Sequence, residues 1–259
     1  LPAVIVNVMR GGPGLGSIQP SQADYFQATR GGGNGDYRTP VLAPANLQEA
    51  VDLVQEAFDI ADQYRTPVVV LADGLIGQMM EPIVWKEHKQ RPLPPKDWAS
   101  SGRGDRDHNN FINSLLIDAP SCEKHNEELL KIYAEIEKNE VRWEEIMLED
   151  AELVFTAYGT PARIAITVAE NLRKKGIKAG VFRPITLWPF PYARLREIAE
   201  QASVKVFLDV EMSAGQMVED VKLAVGDRKP IDFYGRLGGM IPTVSEIEAK
   251  AEAVMGEVK

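Results

Sequence analysis

Leu1-Pro-Ala-Val-Ile-Val-Asn-Val-Met9 runs directly into Arg10-Gly-Gly-Pro-Gly-Leu-Gly-Ser17. A largely apolar run followed by a glycine turn reads as a core strand that delivers the chain to a ligand-facing loop. A second glycine cluster, Arg30-Gly-Gly-Gly-Asn-Gly-Asp36, follows soon after. A core strand needs neighbours on both sides. The sheet around residues 1–9 is therefore expected to be completed by a further N-terminal segment or by a partner chain.

Downstream, Asn46-Leu-Gln-Glu49 has the form of a helix start, a capping residue with a carboxylate three positions on. Leu47, Ala50, Val51, Val54, Phe58 and Ala61 then recur at helical spacing through Tyr64. Arg65-Thr-Pro67 breaks that helix, and Val68 to Ala72 is a continuous β-strand ending in Asp73-Gly74. This α/β alternation predicts a first domain over residues 1–82.

Pro82, Pro92, Pro94 and Pro95, with the polar run from Ser100 to Asn110, predict an extended connector. Glu123 to Met147 reads as one long charged helix. Its broken apolar stripe of Leu129, Ile132, Tyr133, Ile136, Trp143, Ile146 and Met147 is interrupted at Glu140. Residues 83–149 thus form a connector and linker helix, packed on its own domain or reaching a partner subunit. From residue 150 to 259 the pattern is regular again. Strands are expected at 152–158, 178–182, 205–209 and 230–234, with helices after Pro161, from Tyr192 to Gln201 and from Gly215 through Ala224. Strands separated by helices of this length imply a parallel, doubly wound sheet.

Composition limits the function classes. The chain has 259 residues, 44% apolar and 26% charged, as ordinary globular proteins do. A net charge of −9 argues against nonspecific nucleic-acid binding, which needs a basic face. No apolar run reaches the ~20 residues that span a bilayer, so no membrane partner is expected. Cys122 is the only cysteine, which rules out an intrachain disulfide and a four-cysteine cluster. Any iron–sulfur cluster must sit on another subunit, and the cytoplasm is the expected compartment.

The glycine loops invite a nucleotide reading, but no Gly-x-x-x-x-Gly-Lys-Ser/Thr occurs. Gly12-x-Gly14 is split by Pro13 and followed by Ser17 where a dinucleotide fingerprint needs glycine or alanine. His88, His108 and His125 are scattered without ligand spacing, so no metal site is assigned. No Gly-x-Ser-x-Gly elbow is present. What remains is a site made of main chain and one cation. Gly11, Gly12 and Gly14 let a ligand approach backbone N–H groups, and Arg10 can grip a carboxylate or phosphate with two parallel hydrogen bonds. The plainer alternative is that the glycines only form turns and Arg10 pairs with an acidic neighbour. Glu211 has a plain role too, as a cap for the helix opened by Gly215.

At these residues the sequence resembles the alpha subunits of thiamine-diphosphate-dependent 2-oxoacid:ferredoxin oxidoreductases, above all the branched-chain (2-ketoisovalerate) type. The resemblance rests on Val8-Met-Arg-Gly-Gly-Pro-Gly-Leu-Gly16, Pro20-Ser-Gln-Ala-Asp24, Gly31-Gly-Gly-Asn-Gly-Asp-Tyr37 and Asp73-Gly-Leu-Ile-Gly-Gln-Met-Met-Glu-Pro82. It continues through Arg183-Pro-Ile-Thr-Leu-Trp-Pro-Phe-Pro191, Glu211-Met-Ser-Ala-Gly-Gln216 and Gly235-Arg-Leu-Gly-Gly239. It implies that residues 1–82 are the C-terminal half of a thiamine-pyrimidine-binding domain. Residues 150–259 would be a transketolase C-terminal-like domain.

The resemblance also implies an activity. A 2-oxo acid is decarboxylated on thiamine diphosphate, held with Mg between this chain and a beta subunit. Coenzyme A takes the acyl group, and electrons pass through iron–sulfur clusters on partner subunits, gamma and delta among them, to ferredoxin. Arg10 would face the substrate carboxylate, with Gly11, Gly12 and Gly14 shaping its loop. Gly14-Leu15 stands where the 2-oxoglutarate type commonly has Ser-Thr, which favours the branched-chain reading. Asn34 stands where relatives commonly carry histidine. The glutamate that activates the aminopyrimidine belongs to a segment preceding Leu1, so no catalytic residue is assigned here. The chain is expected to be an N-terminally truncated part of a longer subunit, inactive alone. The alternatives are a 2-oxoglutarate or pyruvate oxidoreductase alpha subunit, or a noncatalytic assembly subunit.

Overall fold

Asn46 does start the first long helix, as its sequence context predicts. In the computed structural model, which describes residues 1–258, the Asn46 Oδ1 accepts from Glu49 N at 2.8 Å. The Glu49 carboxylate accepts from Ala45 N at 2.6 Å, so two otherwise unpaired amides are satisfied reciprocally. The first half runs β1 (Ala3–Met9), α1 (Tyr25–Arg30), β2 (Val41–Leu42), α2 (Leu47–Tyr64) and β3 (Pro67–Asp73). Arg65 closes α2 in the left-handed conformation at φ 50°, and Pro67 then opens β3. β1 and β3 are parallel, in register from Ala3 opposite Pro67 to Met9 opposite Asp73. α2 lays Leu53, Ala57, Ile60 and Ala61 onto Leu42, Val68 and Val70 of the sheet. The buried face is thus turned from the predicted stripe, and Phe58, expected inside, is exposed.

β1 differs from its expectation in place rather than in conformation. It forms a strand, but at the edge of the sheet, with β3 as its one neighbour. Ile5, Val6 and Val8 are about half exposed, at 50%, 56% and 48%. Apolar periodicity reports what a strand can bury, not whether a neighbour is at hand to bury it.

The connector is extended, as the prolines predict, with no helix or strand between Asp73 and Ala119. Its first part is strapped along α2 by polar contacts at helical intervals. Leu47 N donates to Glu81, and the Gln48 amide exchanges hydrogen bonds with the Val84 backbone. His88 Nε2 lies 2.9 Å from Asp59 Oδ2, and Lys96 Nζ lies 2.7 Å from Asp62. Gln48, Asp59 and Asp62 share one face of α2, a stripe that spacing alone does not separate from ordinary solvated charge.

The single linker helix expected over 123–147 is two elements. α3 spans Ala119–Asn139, capped by Asp118, whose carboxylate accepts from Ser121 N at 3.0 Å. It stops at Glu140, and Trp143–Ile146 is a strand, β4, paired antiparallel to β6. Pairing on a sheet edge overrides the helix preference of Glu144 and Glu145.

The second half contains β5 (Leu153–Thr156), α4 (Gly159–Lys174), β6 (Ala179–Pro184), β7 (Thr186–Trp188), α5 (Tyr192–Glu200), β8 (Val206–Glu211), α6 (Met217–Val225), β9 (Ile231–Gly235) and α7 (Val244–Glu257). Its sheet has the order β4-β6-β5-β8-β9, with β6, β5, β8 and β9 parallel. α4 and α7 cover one face through Ala165, Val168, Leu172, Ile247 and Val254. The other core joins the halves, with Met9, Tyr25 and Leu71 in one cluster with Tyr158, Phe182, Phe207 and Val221. β7 goes further: it pairs antiparallel with β2 and becomes the fourth strand of the first sheet. Neither β7's partner nor α7 is anticipated by the sequence pattern.

Packing at the second sheet is tight enough to fix one glycine. A Cβ on Gly180 would lie 2.4 Å from Met147 O and 2.7 Å from Leu148 Cδ2. Gly180→Ala is expected to destabilise the chain by about 1–3 kcal/mol, as overpacking does. It should lower the urea midpoint with the slope unchanged.

Candidate functional site

The C-terminal ends of β1 and β3 lie side by side, and the chain leaves β1 through the glycine loop. Gly11 N donates to Gln19 O at 2.8 Å and Ser17 N to Gly11 O at 2.7 Å, closing the loop at its base. Gly11 is buried, and a Cβ there would lie 2.7 Å from the carbonyl carbon of Gly238. Gly12 and Gly14 are exposed, with no atom within 4 Å of where a side chain would begin. Gly14 takes a φ of 64°, which favours glycine.

Arg10 bends back over this loop. Its guanidinium donates to Leu15 O at 2.8 Å, Gly11 O at 3.1 Å and Gly14 O at 3.2 Å. Its partners are carbonyls of its own loop rather than an acidic side chain, a third outcome beside the two the sequence left open. A guanidinium carries five N–H donors, so two are left over on an exposed side chain.

A cleft of about 450 Å³ opens between this loop and the second half, bounded by Gly12, Pro13, Asp24, Met212, Gln216 and Leu237 among others. Of the four residues expected at a binding site, only Gly12 lines it. Gly11 is packed behind it against Gly238, and Arg10 and Gly14 stand on the loop outside it.

Side chains of the loops that follow the strands hold the two walls together. The Gln22 amide donates to Tyr158 O at 2.9 Å and accepts from Met212 N at 2.9 Å, while its own backbone N donates to Met212 O. Gln216 returns the arrangement, donating to Ala23 O and accepting from Phe26 N, each at 2.8 Å. Asp73, at the end of β3, accepts from Thr160 N and Thr160 Oγ1 at 2.8 Å, and from Leu75 N and Ile76 N. Its carboxylate sits on the N-terminus of α4, where the helix dipole favours negative charge. Gly159 is required beside it, since a Cβ there would stand 2.6 Å from Asp73 Oδ2.

Asp220 of α6 receives Tyr25 OH at 2.6 Å, Arg30 Nη2 at 2.9 Å and Tyr192 OH. Burial, and then Asp220, pushes the Tyr25 phenol well above its ordinary value and that of Tyr192 up to about 12. Both remain proton donors at any physiological pH.

Glu211 does cap the helix that follows it, accepting from Gln216 N and Val218 N. Asn34 sits at the exposed tip of the second glycine cluster at φ 63°. His88 is committed to Asp59 and His108 to Asp107. Among the described residues, no three His, Cys, Asp or Glu side chains come together so as to hold a metal ion. None of the described helices is long and apolar enough to cross a membrane. Single-residue reading passed over Gln22, Asp24, Asp73 and Gln216, although each lies in a stretch that carries the family resemblance. Asp73 alone carries a local signal, as the polar end of an apolar strand.

This is a two-sheet α/β protein whose cleft is lined by loops that leave the carboxyl ends of parallel strands. Residues 1–144 match the thiamine-diphosphate-binding family of pyruvate flavodoxin/ferredoxin oxidoreductases, and residues 151–247 match core domain II of pyruvate:ferredoxin oxidoreductase. The ketoisovalerate oxidoreductase subunit VorB of Methanothermobacter marburgensis is 47% identical over 257 residues, covering 99% of this chain and 72% of the relative. The 2-oxoglutarate synthase subunit KorA of Archaeoglobus fulgidus is 34% identical over 263 residues, with 99% and 72% covered. The chain therefore belongs to the 2-oxoacid:ferredoxin oxidoreductases, as an alpha-type subunit. Its fold is that of a 2-oxoglutarate:ferredoxin oxidoreductase from Magnetococcus marinus, with a TM-score of 0.78 at 20% identity. The match covers 100% of this chain and 49% of that one, so the chain spans about half the length of the solved relative. A split-gene transketolase shares the fold more distantly, with a TM-score of 0.50 at 14% identity over 85% of this chain and 58% of that one.

Proposed function

We propose that the chain serves an enzyme that converts a branched-chain 2-oxo acid, 2-ketoisovalerate, to its acyl-CoA and CO2, passing two electrons to ferredoxin. The observation that carries this is the character of the cleft. Pro13, Ala23, Met212, Ala214 and Leu237 give it apolar walls, its one charged lining residue is Asp24, and no cation is among the residues that line it. An aliphatic side chain suits such walls, whereas the second carboxylate of 2-oxoglutarate would meet Asp24 without a counter-charge. The higher identity to ketoisovalerate than to 2-oxoglutarate relatives points the same way.

Thiamine diphosphate is the cofactor the family implies, and the residues present suit its ring rather than its diphosphate. The open backbone at Gly12 and Gly14 offers a planar ring close approach, while the diphosphate and Mg are assigned to a beta subunit. When bound, the cofactor supplies the carbanion chemistry. This chain's part is to shape the cleft wall and, from the loop outside it, to offer the remaining donors of Arg10 to a substrate carboxylate at the cleft mouth. The domain limits 1–82, 83–149 and 150–259 are retained as the functional division. Coenzyme A, ferredoxin, and gamma and delta subunits carrying the iron–sulfur clusters complete the proposed reaction.

CoA- and thiamine-dependent reduction of a viologen dye, measured on the native complex with a panel of 2-oxo acids, tests the reading. Turnover should be strongest with 2-ketoisovalerate; preference for 2-oxoglutarate would overturn the assignment of the cleft. Arg10→Ala should lower kcat/KM by about tenfold to a hundredfold, the worth of a charge-assisted hydrogen bond. Unchanged kinetics would remove Arg10 from the site.

A further inference from the structure

Asp209 and Glu211 stand two residues apart on β8, so their side chains leave the same face of the sheet. Both are completely buried. Glu211 is fully supplied with donors. Ser213 Oγ reaches it at 2.7 Å, and Gln216 N and Val218 N each at 3.0 Å. These donors belong to the loop after β8 and the first turn of α6, and Ser213 and Gln216 line the cleft.

Asp209 is supplied on one side only. Thr156 Oγ1 donates to its Oδ1 at 2.6 Å, while Oδ2 is buried with no hydrogen-bond partner. Glu211, two residues further along the same face of β8, is the charged group that acts most strongly on Asp209. The surrounding charges offer Asp209 little relief. Lys222 of α6 acts on it more weakly than Glu211 does, and Asp209 and Glu211 both act on the buried Tyr158 phenol, which bears no charge to offset theirs. An ionised Asp209 would leave a bare carboxylate oxygen in the core, facing a second carboxylate. A proton on Oδ2 removes both penalties and gives Glu211 a further donor. The single negative charge that remains is matched by the N-terminus of α6.

We propose that Asp209 keeps its proton and donates it to Glu211, which makes Asp209 a positioning residue for the Met212–Gln216 wall of the cleft. Burial and then Glu211 raise the Asp209 carboxyl well above the aspartate range, in accord with this arrangement. The assignment concerns the wall itself and holds whichever 2-oxo acid the cleft accepts.

Proton linkage tests it. The unfolded chain releases the Asp209 proton above about pH 4, and the folded chain retains it. Wild-type stability should therefore fall with rising pH relative to Asp209→Asn, which mimics the neutral acid. The ratio of their folding constants should change about tenfold per pH unit between about pH 5 and 7. Urea melts of the full 259-residue chain read this directly, and parallel profiles for the two proteins would overturn the shared proton. In the assembled complex, Asp209→Ala should speed hydrogen exchange at the Gln216 and Val218 amides, while Asp209→Asn, which keeps a donor toward Glu211, leaves it unchanged. Equal exchange in Asp209→Ala and wild type would overturn the positioning role.

Discussion

Asp73→Ala is expected to cost about 3–5 kcal/mol, the scale of removing one partner from a buried charged network. The carboxylate is the one group that ties the end of β3 to the start of α4, 87 residues away in sequence. Its removal leaves the Thr160 amide and hydroxyl and the Ile76 amide without their acceptor in the core, each at about 1–3 kcal/mol if no water enters. Asp73→Asn keeps the volume and one carbonyl oxygen but turns an NH2 toward a donor, so it should fall between alanine and wild type. Chemical denaturation of the three proteins checks the order. A loss below about 1 kcal/mol for alanine, the scale of an exposed ion pair, would mean that Asp73 does not help to hold the two halves together.

Glu140→Ala should have the second largest effect, and a local one. Glu140 is 2% exposed and receives two parallel hydrogen bonds from Arg91 at 2.5 and 3.0 Å, one from Tyr64 at 3.0 Å and one from Arg142 at 3.3 Å. Arg91, partly buried, then loses its counter-charge and Arg142 is left with Glu56 alone, at a cost of about 2–3 kcal/mol. Arg91 lies on the strap, so the strap should loosen before the sheets do, and limited proteolysis near residues 86–98 would show it first. The same contact predicts an acid response. Burial works against the Glu140 charge, but the hydrogen bonds and charge of Arg91 outweigh it and hold the carboxyl below its usual range. A depressed value in the folded chain gives stability that is complete above the ordinary glutamate range of about 4.3. That stability is lost as pH falls through the lower folded value, so cleavage of the strap should rise in acid. Protease susceptibility that does not change with pH would exclude Glu140 as the anchor.

Much of the α/β plan is legible in the chain because local rules and tertiary structure agree there. Asn46 with Glu49, and Glu211 ahead of Gln216, announce helix starts by chemistry that acts within a few residues. The strands of the second half announce themselves as apolar runs because both faces of their sheet are covered. Long-range pairing is what stays hidden. Nothing within Trp143–Ile146 distinguishes an edge strand from a helix until β6 lies beside it, and nothing within Thr186–Trp188 names β2 as its neighbour. The candidate site divides in the same way. The glycine loop is conspicuous, but Arg10 gives no sign that its own carbonyls will claim it. Gln22 and Asp73 gain their roles only when a second strand end is brought opposite.

The pairing of β2 with β7 bears on how the polypeptide can be divided. The two family matches meet between residues 144 and 151, an inviting place to split the gene. Yet β7 begins 145 residues after β2, at Thr186 against Val41, and it fills the edge of the first sheet. A polypeptide ending near 144 would keep β2 paired to β3 but leave its other edge open, an invitation to aggregation. The last strand of the first sheet is also among the later parts to be translated, so the first half must wait for the second before it can close. What sequence comparison counts as two inherited units is, for the folding chain, one cooperative object.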